Sequence, residues 1–243
     1  MLDIASTTRH LRGIADLDAD DFNALLDLAS VMKRHPLAWR NALEGRAIAC
    51  LFEQPSTRTR VALEVAASRL GALPVVLAPG ELAHGDSLAE TASALSSYCD
   101  AIALRTPHHR DLLELASHAS VPVLNLRTDR EDPFHALAGC LSLRERFGDL
   151  RGLPVACVGG GEALAYSLIE AAMLTGLEVR VATLRPDPAL LARAGERVRV
   201  CASVHEAVEG AAAVYDGVSS VAADLLPVQQ AVLRALVTGD LEL

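Results

Sequence analysis

Residues 46–70 read RAIACLFEQPSTRTRVALEVAASRL, and this stretch decides the fold. A buried apolar run, 46–52, ends at Phe52, Pro55 punctuates a turn, and Ser56 opens a helix, so strand, turn and helix start coincide. Outward from it, short β-branched or apolar runs alternate with longer amphipathic stretches, the pattern of βαβ units and a parallel sheet. Further strands are predicted at 73–77, 101–104, 122–125, 153–158, 178–182, 198–201 and 212–215, with helices between them. The fold class is therefore α/β, doubly wound, in two parallel-sheet domains. Ahead of the first strand, Asp18 can cap a helix to about residue 34, in which Phe22, Leu25, Leu26, Ala29 and Met32 recur at helical spacing. That helix is expected to lie against the following sheet. A helix over 132–147, followed by Gly148 and Gly152, forms a hinge, and the domains are drawn as 1–150 and 151–243.

The anion chemistry is concentrated at the turn. Free N–H groups and the positive end of the dipole make a helix N-terminus a ready anion site. Ser56, Thr57 and Thr59 add hydroxyls there, and Arg58 adds a guanidinium that can grip phosphate oxygens bidentately. Arg60, two residues on, falls on another face of the helix and receives no ligand. The bland alternative is a plain Ser cap with solvated arginines.

Composition narrows the partners. The 243 residues are 51% hydrophobic and 22% charged, ordinary for a globular chain with a sizeable core. A formal net charge of −9 has the wrong sign for nucleic acid, and 3% aromatics leave little for bases to stack on. A small anionic metabolite held by local arginines fits better. Cys50, Cys99, Cys140, Cys157 and Cys201 form no CxxC pair and read as reduced, mostly buried thiols; no metal site is expected. The beginning of the sequence has no apolar leader core and no long apolar run follows, so the expectation is a cytoplasmic protein without a membrane segment.

FEQPSTRTR resembles the carbamoyl-phosphate signature of aspartate and ornithine carbamoyltransferases, with Gln54 where ornithine enzymes usually carry Lys. Residues 70–109, LGALPVVLAPGELAHGDSLAETASALSSYCDAIALRTPHH, are similar to the ornithine branch, and ASVPVLNL at 119–126 continues the likeness. The resemblance implies that Ser56, Thr57, Arg58 and Thr59 bind the phosphate and that Arg105 contacts carbamoyl phosphate. Arg105 also falls at the C-terminal end of a predicted parallel strand, where open α/β sheets bind ligands. The loop LAHGDS at 82–87 matches one that reaches a neighbouring subunit, so a homotrimer is implied, with His84 at a position that is often basic. Residues 1–150 then form the carbamoyl-phosphate domain and 151–243 a shortened acceptor domain.

The pattern also breaks. Carbamoyl transfer needs polarisation of a carbonyl oxygen as it becomes an oxyanion. Where the family uses the His of a His-Pro-x-Gln motif, this chain has Asp132-Pro133-Phe134-His135. His135, at the Gln position, can compensate, while Asp132 reads either as a ligand group or as a cap of the following helix with Pro133 at its first position. VACVGGGEALAYSLIEAA at 155–172 matches the segment in which an Asn-rich stretch touches the amino acid, but reads Glu162, Ala163 and Leu164 there. Asp216 and Ser220 in VYDGVSSV are partial matches to acceptor-binding positions. The sequence reaches neither the family's His-Cys-Leu-Pro motif nor, on this reading, its C-terminal helix. That, with a site completed by a neighbour's loop, is expected to leave the apolar surface of the first domain uncovered on a chain that stops after the amphipathic segment 225–237, a large patch requiring a partner. Gly159-Gly160-Gly161 invites a dinucleotide reading, yet 183–185 are Thr, Leu and Arg where an acidic residue is wanted, and no cofactor is expected. Two readings stay open: a transferase with an amine acceptor other than ornithine, and a degenerate phosphate-binding or partner subunit.

Overall fold

The computed structural model describes residues 8–77, 87–159, 161–182, 186–216 and 222–241. The first helix, α1 (Ala19–Arg34), starts where Asp18 accepts a hydrogen bond from the Asp21 amide, and its predicted apolar face is buried. There follow β1 (Ala47–Phe52), α2 (Thr57–Arg69), β2 (Leu73–Leu77), α3 (Leu88–Tyr98), β3 (Ala101–Arg105), α4 (His109–His118), β4 (Val123–Arg127) and α5 (Pro133–Phe147). The second half contains β5 (Pro154–Val158), α6 (Glu162–Thr175), β6 (Glu178–Ala182), α7 (Pro188–Ala194), β7 (Val198–Val200), α8 (Val204–Val208), β8 (Ala213–Tyr215) and α9 (Ala222–Thr238). Two parallel four-stranded sheets result, ordered β2-β1-β3-β4 and β7-β6-β5-β8. Both are doubly wound because their strands are apolar on alternate faces. Ile48, Cys50 and Phe52 of β1 join one core, while Ala49 and Leu51 join another with Leu112 and Leu115 of α4. The inner faces of the two sheets share a single apolar core through α5, α6 and α9.

One expectation is extended and one corrected. Helix α1 joins the apolar core that β1 and β4 of the first sheet face, and its main contacts with other elements are to α9 and α5. Helix α9 returns from the second half to cover α1 and α2. Leu225, Val228, Val232 and Leu233 are at most 2% exposed, so segment 225–237 itself covers apolar surface of α1 and α2 that was expected to lie open. Lys33, the only lysine, clamps this junction: its Nζ lies 2.6 Å from Glu145 of α5 and 2.5 Å from the buried Asp224 of α9.

All five cysteines are free and buried, and burial pushes the thiols of Cys50, Cys140 and Cys157 up to about 12. Among the described residues no helix is long and apolar enough to cross a membrane.

Candidate active site

Strand order 2-1-3-4 places the topological switch of the first sheet between β1 and β3, and open α/β sheets bind ligands outside the strand ends at such a crevice. Here β1 ends at Phe52, which is in register with Arg105 at the end of β3; Arg105 is paired in turn with Arg127 at the end of β4. After β1 the chain turns through an extended Ser56 (φ −156°, ψ 97°) into α2. The Ser56 hydroxyl donates to Thr59 Oγ1 at 3.0 Å and does not cap the helix. The first-turn amides, which no helical carbonyl can satisfy, are therefore not taken up by that side chain. Thr57 and Arg58 are exposed, and Arg58 has no ion-pair partner among the described residues. Arg60 is turned away and bound to Glu64 at 2.6 Å, as its place on another face requires.

Arg105 contributes a second guanidinium at the crevice: among the described residues its buried Nε has no hydrogen-bond partner. Burial, then the neighbouring Arg127 charge, lowers its pKa, with Asp132 opposing. A buried donor in this state costs stability until an acceptor reaches it.

Asp132 is the counter-charge of this edge. It is 2% exposed, with Oδ2 3.8 Å from Arg127 Nε and Oδ1 2.7 Å from His135 Nδ1. Its side chain accepts no backbone amide of the first turn of α5, which corrects the capping expectation; its bond there is to the His135 ring. The carboxylate is already engaged by an imidazole and a guanidinium, while Pro133 sits at the first helical turn as expected. The Asp132 amide instead donates to Ser167 Oγ of α6 at 2.9 Å, and that hydroxyl donates to Glu131 Oε2 at 2.5 Å. Burial and then the nearby Glu170 carboxylate push Glu131 up to about 8; Glu170, which accepts from the Ala15 amide at 3.0 Å, is also raised, chiefly by burial.

Arg127, Glu131, Ser167 and Glu170 were not candidates from sequence. Ending the fourth strand at residue 125 hid Arg127, whose equivalence to Arg105 follows once β4 is extended by two residues. The Glu131–Ser167 contact joins positions 36 apart and leaves no local signature.

In the second sheet the switch lies between β5 and β8, where Gly159 and Asp216 immediately follow their strands. Gly159 has φ +83°, and a Cβ there would come 3.0 Å from the Asp216 carbonyl oxygen, so glycine is required at this approach. Glu162 is exposed, whereas Ala163 and Leu164 are buried at 3% and 9% exposure. His84, Ser220, Gly160 and residues 183–185 lie outside the described residues.

A cavity of about 400 Å³ opens beside the anion grip. Thr57, Arg58 and His135 line it on the polar side, and Val61, Ala62 and Val65 of α2 with Leu225 and Leu226 of α9 form the rest.

A family model described as aspartate/ornithine carbamoyltransferase, carbamoyl-P binding domain, matches residues 9–145. An ornithine carbamoyltransferase of Acidothermus cellulolyticus is 43% identical over 193 residues, covering 77% of this chain and 62% of its own length. One from Ignicoccus hospitalis is 40% identical over 230 residues, covering 86% of this chain and 74% of its own length. The crystal structure of ornithine carbamoyltransferase from Thermus thermophilus superimposes with a TM-score of 0.82 at 31% identity, covering 94% of this chain and 99% of that one.

Proposed function

This chain belongs to the aspartate/ornithine carbamoyltransferase family, and from that premise we propose that it binds carbamoyl phosphate and transfers the carbamoyl group to an amine other than ornithine. One observation carries the reading: Arg58 has no ion-pair partner among the described residues, and Arg105 keeps a buried Nε without a hydrogen-bond acceptor, both at the crevice between β1 and β3. Two guanidinium groups left uncommitted at a helix N-terminus suit a phosphate dianion.

In this reading the half before residue 150 holds the phosphate through Ser56, Thr57, Arg58 and Thr59, and Arg105 faces the carbonyl oxygen, where it meets developing negative charge. The neutral amine attacks the carbonyl carbon, the bond from that carbon to the phosphate oxygen breaks, and phosphate leaves. Nδ1 of His135 is committed to Asp132, so Nε2 is the free acceptor that takes the proton from the attacking nitrogen. Residues 151–243 supply part of the acceptor side through the start of α9. The assembly is a cytoplasmic homotrimer in which His84 reaches the adjacent site; light scattering that finds a monomer of 25.7 kDa overturns that part.

The alternative, phosphate binding without transfer, is favoured by the Asp132 carboxylate standing where the resemblance implies a polarising donor. Amine-dependent release of phosphate from carbamoyl phosphate separates the two. We expect release that depends on added amine and falls on the order of 100-fold in His135→Gln. Tight binding with no release under any amine supports the non-catalytic reading.

A further inference from the structure

The cavity beside the anion grip has a chemistry that identifies what enters it. Val61, on the outer side of α2, is 54% exposed, an apolar residue where a lone surface helix would place a polar one. Val65 of the same helix and Leu226 of α9 continue this wall, and His135 closes it next to Arg58. Among the described lining residues there is no carboxylate, and the only guanidinium is the one assigned to phosphate.

We propose that this cavity seats the acceptor, and that the acceptor is a primary amine on an apolar chain or ring, without the second ammonium and the carboxylate of ornithine. The inference rests on the transferase reading and narrows its substrate class. Three further observations support it. The volume of about 400 Å³ lies toward the small end of ligand pockets. His135 lines the cavity with Nδ1 already bonded to Asp132, so its remaining acceptor edge is available to a nitrogen held there. At the start of α6, Ala163 and Leu164 are buried and carry no side-chain polar atom that could hold an α-carboxylate.

The apolar wall also assists the chemistry. Only a neutral amine attacks, and desolvation disfavours the ammonium form. The proton released as the new C–N bond forms passes to His135 Nε2, and phosphate departs with the electrons of the broken C–O bond.

The test is calorimetric titration of the full chain, saturated with phosphate, with n-pentylamine and separately with ornithine, alongside amine-dependent phosphate release from carbamoyl phosphate. We expect n-pentylamine to bind at least tenfold more tightly than ornithine, and Val61→Phe, an exposed substitution that narrows the cavity, to weaken it at least tenfold. Ornithine binding as tightly as the alkylamine, or an alkylamine affinity indifferent to Val61→Phe, overturns the proposal. Release of phosphate with ornithine alone overturns it, and with it the choice of an acceptor other than ornithine, while leaving carbamoyl transfer itself intact. Alkylamine binding without release supports the cavity and contradicts the transferase reading instead.

Discussion

Arg58 and Arg60 stand two residues apart on α2, yet the structure assigns them opposite fates. Arg58 lines the cavity at the grip and has no ion-pair partner among the described residues, whereas Arg60 is bound to Glu64 one turn on. Arg58→Ala removes a guanidinium that pairs with no carboxylate among the described residues, so folding stability changes by no more than about 0.5 kcal/mol. The lost contact to phosphate is charge-assisted, contributing about 1.5 to 3 kcal/mol, or roughly 10- to 150-fold in Kd. Arg60→Ala breaks an exposed i,i+4 pair of about 0.3 to 0.5 kcal/mol and leaves the phosphate affinity within about twofold. Calorimetric titration of inorganic phosphate and of carbamoyl phosphate into the two variants and the parent reads both effects. Measurement at low salt and at about 0.15 M separates a direct grip, which persists, from long-range attraction, which is screened. Equal affinities for Arg58→Ala and the parent refute the site, and a larger loss in Arg60→Ala refutes the assignment of faces.

Three more outcomes follow from buried charge. Asp132→Asn removes the carboxylate that orients His135 but also the negative charge nearest Arg127, so phosphate binds at least as tightly while amine-dependent transfer falls on the order of 100-fold; transfer within threefold of the parent refutes the pair. Glu131 has its pKa raised to about 8, so the native state holds a proton that the unfolded chain gives up at the ordinary carboxylate value. Its stabilising effect is complete below that ordinary value and is lost as the pH rises to about 8. Glu131→Gln should therefore remove on the order of 4 kcal/mol of that decline, read from urea midpoints at pH 5 and pH 9, and an unchanged slope contradicts the burial argument. Lys33→Met strands the buried Asp224 and costs about 1 to 3 kcal/mol, discounted because the lysine is itself 37% exposed. The double variant with Asp224→Leu recovers most of the loss in thermal unfolding, unless the clamp is inert.

Much of the first sheet was legible because its strands are short buried runs bounded by turns, and β1, β2 and β3 fall within a residue of their predicted limits. The frame of the proposed phosphate site was legible for a related reason: strand end, turn and helix start are all local. Packing between helices was not. The apolar stripe of α1 specifies that a surface must be covered but not by what, and α9 covers it from about 200 residues away in sequence. The same limit applies to Asp132. An acidic residue before Pro133 reads as a cap, and only the folded chain brings Arg127 and the His135 ring close enough to claim the carboxylate. Glu131, Ser167 and Glu170 meet where the segment leading into α5 faces α6, a contact with no sequence period behind it.

The central claim, carbamoyl phosphate held at the crevice between β1 and β3, is tested most directly by a crystal structure of the full chain soaked with carbamoyl phosphate. The account predicts the phosphate group against the amides of residues 57–59, within hydrogen-bond distance of the Arg58 and Arg105 guanidinium groups. Density for the ligand elsewhere, at the Gly159 turn for instance, or an empty crevice at saturating ligand, contradicts it.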